Sequence, residues 1–88
     1  MAIVRNADLM IQMHEDTGAC EFCNRTDQRL EVHHIWAKGI GGGSRMDVPI
    51  NLIVVCKPCH DLAHKGDISR RELFGIAAER EVMKLRNS

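Results

Sequence analysis

The chain has 88 residues, only three aromatic side chains (two Phe, one Trp, no Tyr), and 12 basic residues balanced by 12 acidic ones. A polypeptide this short buries only about 60–65% of its unfolded surface, so residues 1–88 are read as one domain whose thin core needs a staple. Zero net charge excludes a strongly basic nucleic-acid binder on composition alone, and the first ten residues, broken by Arg5, Asn6 and Asp8, exclude a secretory leader. With no run of membrane-spanning length, the expectation is a cytoplasmic, untargeted protein.

Residues 3 to 16 carry Ala7, Met10, Ile11 and His14 at the i, i+3, i+4, i+7 spacing of an amphipathic helix, and Gly18 is placed to end it. His14 reads as a partly buried member of that face. CEFC follows, with Cys20 and Cys23. RLEVHHI then alternates Leu30 and Val32 against Glu31 and His33, the period of a strand, and AKGIGGGSRMDVP gathers four of the seven glycines with Pro49 into a loop. NLIVV, opened by Asn51, is a second and wholly apolar strand, so the pair reads as a hairpin. CKPC, with Cys56 and Cys59, opens a helix in which Pro58 suits the first turn, His60 and His64 fall on one face, and Gly66 is the stop. SRRE at 69 to 72 is a capping box for a last helix from about Arg70 to Arg86, with Leu73, Ile76, Ala77 and Met83 inward.

The four cysteines form two pairs of identical spacing with none left over. Two C-x-x-C knuckles suit a tetrahedral four-thiolate zinc site, with each sulfur about 2.3 Å from the ion. Two disulfides need an oxidising compartment, which nothing in the sequence indicates, and a redox dithiol needs one such motif in a βαβ context rather than a matched pair. Cys20, Cys23, Cys56 and Cys59 are therefore expected to hold a structural Zn²⁺ that closes a long loop around the hairpin.

The order HH, then an asparagine opening a strand, then CxxCH resembles the HNH nucleases over residues 20 to 64, with a core motif of about 20–65. The resemblance implies a small α+β fold: a ββα-metal core of hairpin and helix gripping one divalent ion, here stapled by the four-cysteine zinc site and flanked by N- and C-terminal helices. Zinc knuckles flanking the motif are common in small, phage-borne members. Carried onto this sequence, the resemblance makes His34 the general base and His33 a ligand of the catalytic ion. It makes Asn51 the asparagine that ties the hairpin loop in place, and His60 the helix ligand. His64, four residues on, is either a third ligand or a solvent-facing histidine. The first ligand in this family is very often aspartate. His33 makes the site richer in nitrogen, which shifts preference from Mg²⁺ toward Mn²⁺, Co²⁺ or Ni²⁺.

Adjacent histidines on a strand have a physical use. Phosphodiester hydrolysis needs a water made nucleophilic near neutral pH, which a neutral imidazole can do, and a cation to meet charge on the phosphoryl oxygens. Because neighbouring strand residues face opposite ways, His33 can turn to the ion while His34 stays on the side of the attacking water. The implied partner is double-stranded DNA, with no membrane role and with a phage packaging protein or another targeting protein as a second partner. Lys38 and Arg45 in the loop, Lys57 and Lys65 near the helix, and Arg70, Arg71, Arg80, Lys84 and Arg86 on the last helix are candidates for phosphate contacts. Trp36 reads as a lid on the core rather than a base-stacking platform. Little of the chain is left to read bases, so nicking with weak sequence preference is expected. The competing reading is a non-catalytic, zinc-stapled nucleic-acid-binding module whose histidines are structural or hold a second zinc.

Overall fold

The computed structural model describes residues 6–36 and 46–87, so the glycine run with Lys38 and Arg45 lies outside the described residues. Helix α1 spans Ala7–Asp16 and starts where the Asn6 side chain accepts the Leu9 amide at 3.0 Å, a standard N-cap. Its inward face is Leu9, Met10 and Met13, packed on Leu52 and Val54. The sequence phasing through Ala7, Ile11 and His14 is thus corrected: those three are exposed, because the core on this side is one narrow patch that Met13 fills. His14 instead donates from Nε2 to the Leu30 carbonyl at 2.8 Å. The helix ends at Asp16 with Thr17, not Gly18, as its cap.

Strands β1 (Leu30–His34) and β2 (Leu52–Cys56) pair antiparallel, with His33 opposite Ile53 and His34 opposite Leu52. Strand β2 is buried along its whole length because both of its faces are covered. Leu52 and Val54 meet α1, while Ile53 and Val55 join Ile35, Ile68, Leu73 and Ala77 on the other side. Each such aliphatic side chain contributes about 1.5–3 kcal/mol by leaving water, which makes this short strand the spine of the molecule. Asn51 does not open β2. It closes a single 3-10 turn, Pro49–Asn51, set by the fixed φ of Pro49.

Helix α2, Lys57–Lys65, follows β2 without a linker, has Pro58 in its first turn, and stops at Gly66, whose φ of +85° lies in the left-handed region that favours glycine. Helix α3 runs Arg70–Arg86, and the Ser69 hydroxyl oxygen accepts the Glu72 amide at 3.1 Å. Leu73 and Ala77 are buried and Ile76 packs beside them, but Met83 is exposed. The inward position one turn after Ile76 and Ala77 belongs to Arg80. Its guanidinium donates to both carboxylate oxygens of Glu21 at 2.9 Å, to the Leu52 carbonyl at 3.0 Å and to the Pro49 carbonyl. Arg80 is therefore a strut between α3, the 3-10 turn and the first cysteine knuckle, not part of a solvated basic face. Trp36 lies against this core, edge to face with Phe74 at a centroid distance of 5.1 Å. Among the described residues no helix is long and apolar enough to cross a membrane.

Candidate active site and metal centres

The first knuckle is shaped by its backbone: the Cys20 amide donates to the Arg25 carbonyl and the Asn24 amide to the Cys20 carbonyl, both at 2.9 Å. Asn24 takes a φ of +66°, a conformation asparagine tolerates better than most residues. The Cys23 amide then points at the Cys20 sulfur, 3.4 Å away. The second knuckle bridges the end of β2 and the first turn of α2. All four sulfurs lie within 4.8 Å of one another, and those of Cys23 and Cys56 are 3.7 Å apart. A tetrahedral Zn²⁺ with sulfurs at about 2.3 Å requires separations of about 3.8 Å, so this set is compatible with structural zinc. Burial raises the Cys20 thiol, but the backbone amides of Cys23, Cys56 and Phe22 outweigh it and bring it down to about 7. Burial pushes Cys56 and Cys59 up. Such a group of sulfurs ionises together only around a cation.

A second cluster joins β1 to α2. His33 and Glu31 project from the same face of β1, toward the side of α2 that carries His60 and His64. The three histidine rings stand 4.6 to 5.2 Å apart by centroid, and one nitrogen from each lies within 4.8 Å of the others. The Nε2 atoms of His60 and His64 are 3.0 Å apart, the spacing of two nitrogens about 2.1 Å from one ion at a right angle. Nδ1 of His60 donates to Glu31 Oε1 at 2.7 Å, which leaves its Nε2 lone pair for the ion. His33 is held down to about 4, first by burial and then by electrostatic coupling to the neighbouring His60, His64, His34 and Arg70. Its ring is therefore neutral at physiological pH, the form that binds metal.

His34 projects from the opposite face of β1, yet His33, His34, His64, Lys65 and Arg70 line one cleft of about 370 Å³. Arg70 donates from Nε to the Ile35 carbonyl at 3.2 Å, which plants its guanidinium on the wall of that cleft. His34 Nε2 lies 2.6 Å from Asp47 Oδ1. Asn51 is buried; its Oδ1 accepts the Trp36 amide at 2.9 Å, and its Nδ2 donates to the carbonyls of Met46 at 2.9 Å and Trp36 at 3.3 Å. It thus clasps the chain where the inter-strand loop leaves and returns. Among the other basic residues named from the sequence, Lys57 pairs with Asp61 at 2.8 Å and Lys84 sits 3.6 Å from Glu81.

Three carboxylates of this region were not singled out as site residues in the sequence: Glu31, Asp47 and Glu21. Glu31 had a signal, since it lies two residues before His33 and so on its strand face. Asp47 had none, because a long loop separates it from His34.

The HNH endonuclease family model matches residues 20–66, which is 47 of the 88 residues and so just over half of the chain. The chain belongs to that family. No curated protein matches it, and no solved structure does.

Proposed function

We propose that the chain is a single-domain, divalent-metal-dependent endonuclease that hydrolyses phosphodiester bonds of double-stranded DNA, nicking one strand per encounter, with His34 as general base. The observation that supports this most is a cluster of three histidine nitrogens on β1 and α2, with a fourth histidine, His34, lining one cleft with two of them, His33 and His64. His33, His60 and His64 would hold the ion, and their all-nitrogen set favours Mn²⁺, Co²⁺ or Ni²⁺ over Mg²⁺. When bound, the ion supplies positive charge for the phosphoryl oxygens and the departing 3′ oxygen. His34 takes the proton of the attacking water. Arg70 and Lys65 hold flanking phosphates, Asn51 keeps the hairpin loop seated, and the four cysteines hold structural zinc.

Supercoiled plasmid incubated with the protein and Mn²⁺, Mg²⁺ or EDTA tests the reading. Nicked circles should accumulate before linear product with a divalent ion and be absent with EDTA. His34→Ala should lower the rate by about 10²–10⁴-fold, the range of general-base catalysis, with zinc content and circular dichroism unchanged. Equal cleavage by His34→Ala would remove the base from this reading. Binding without cleavage under every ion would leave the zinc-stapled binding module instead.

A further inference from the structure

The histidine cluster opens into two clefts, not one. His33 and His64 line the cleft of about 370 Å³ that also holds Lys65 and Arg70. His60, whose ring centroid is 4.6 Å from that of His64, lines a second and wider cleft of about 680 Å³ with Glu31, Arg29, His14 and Thr17. Helix α2 joins the two. Arg29 stands at its start, where the Lys57 amide donates to the Arg29 carbonyl at 3.0 Å, and Lys65 is its last residue. His60 and His64 lie between these ends, one helical turn apart. The order along α2 is thus Arg29, His60, His64, Lys65, with Arg70 across the first cleft.

Arg29 was not among the basic residues that the sequence marked for phosphate contact, and its surroundings set it apart from them. Lys57, at the same end of α2, is held by Asp61 at 2.8 Å. The Arg29 side chain is 83% exposed, and its Nε lies 4.0 Å from Glu31 Oε2, a separation at which a solvated pair holds weakly. Glu31 is committed to His60 Nδ1 at 2.7 Å. The main chain of Arg29 is pinned to α2, so a planar fork of donors that suits two phosphate oxygens is tethered at the mouth of the second cleft.

We infer that Arg29 binds a phosphate of the DNA strand on the side of the histidine cluster opposite Arg70, so that the strand lies along α2 with the reacting phosphate over the histidines. This deepens the nuclease reading and rests on it. The nine residues of α2 extend about 13.5 Å. One strand of a duplex carries a phosphate for about every 3.4 Å of axis, so the helix spans roughly four steps. That leaves room for a phosphate on each side of the one that reacts. A cation at each end fixes the strand at two points, whereas Arg70 and Lys65 alone hold it at one and let it pivot away from the histidines.

Fluorescence anisotropy of a labelled duplex, titrated with the zinc-loaded protein across a series of potassium chloride concentrations and with no other divalent ion added, tests this. In Arg29→Gln the slope of log affinity against log salt should shrink by about 0.9, and affinity in about 0.1 M salt should fall roughly eightfold. Arg29→Lys, which keeps the charge, should retain the wild-type slope. Arg25→Gln removes a charge paired with Asp27 at the first knuckle and should also retain it. Arg29→Gln combined with Arg70→Gln should lose about 1.8 of slope, as two separate phosphates require. Zinc content and circular dichroism should match wild type throughout. An Arg29→Gln protein with the wild-type slope overturns the inference, and so does an equal loss in Arg25→Gln, a double variant no weaker than either single one, or a wild-type protein without affinity for the duplex. If the wild-type protein binds the duplex but nicks nothing with Mn²⁺, the nuclease reading fails, and the slopes still decide whether Arg29 holds a phosphate.

Discussion

Glu31 shows how much one oxygen decides at a histidine centre. Each ring has two nitrogens, and the carboxylate that accepts a hydrogen bond from one determines which nitrogen is left for chemistry. For Glu31 the consequence is metal affinity. Glu31→Gln retains an acceptor for the His60 Nδ1–H and should weaken Mn²⁺ binding about tenfold. Glu31→Ala, which leaves the ring to turn, should cost nearer 100-fold, the usual range for such supporting groups. Calorimetric titration of Mn²⁺ into the zinc-loaded protein measures both, and an unchanged dissociation constant in Glu31→Ala would show that the hydrogen bond does not orient the ligand. His33, His60, His64 and Asn51 were legible through the motif order of the resemblance, and the structure brings the three rings together and seats Asn51 at the ends of the loop. Asp47 was not, since its contact with His34 depends on where a long connection returns to the sheet.

At the scale of elements, the decisive arrangement is that β2, the second knuckle and α2 are one uninterrupted run. Cys56 closes the strand, Cys59 sits in the first turn of the helix, and His60 is the next residue. The four-cysteine cluster therefore sets the direction in which α2 leaves the sheet, and with it the position of His60 and His64 against His33. Structural zinc contributes about 10–16 kcal/mol in small domains, comparable to the entire stability of an ordinary domain, about 5–15 kcal/mol. Cys20→Ser and Cys59→Ser should accordingly yield chains without cooperative thermal unfolding and without stoichiometric zinc, read by circular dichroism and elemental analysis. A folded, zinc-free Cys20→Ser protein would contradict the staple. Helices α2 and α3 were legible to their end residues because Pro58, Gly66 and the Ser69 cap mark the boundaries. The facing of α1 and α3 was not. Amphipathic spacing cannot tell that the apolar patch over β2 takes Leu9, Met10 and Met13 rather than Ala7 and Ile11, or that Arg80 turns inward to meet Glu21. Replacing that arginine would strand a buried carboxylate.

For the whole molecule, zero formal charge conceals where charge is available. Arg80, Arg25 and Lys57 are engaged by Glu21, Asp27 and Asp61, so the basic groups named at the cleft are Lys65 and Arg70. On the proposed function, contact with DNA would then fall on phosphates, with α2 and α3 packed against the sheet. Nicks mapped along a long duplex by this 88-residue chain should be spread over many sequences. Binding should weaken steeply with salt, by roughly one logarithmic step per neutralised phosphate for each tenfold rise in salt. Cuts confined to one site of six or more base pairs would show that a described helix or the stretch 37–45 reads base edges.

The clasp made by Asn51 separates geometry from length. Because one side chain grips the main chain at both Trp36 and Met46, the nine positions 37–45 between them leave and rejoin the hairpin at a single point. Doubling such a segment adds only about 0.6 kcal/mol of closure entropy, and the strain of a longer or different insert stops at the clasp instead of reaching His33 and His34. The hairpin is in this sense a socket: the clasp holds its two ends together while His33 and His34 keep their register on β1.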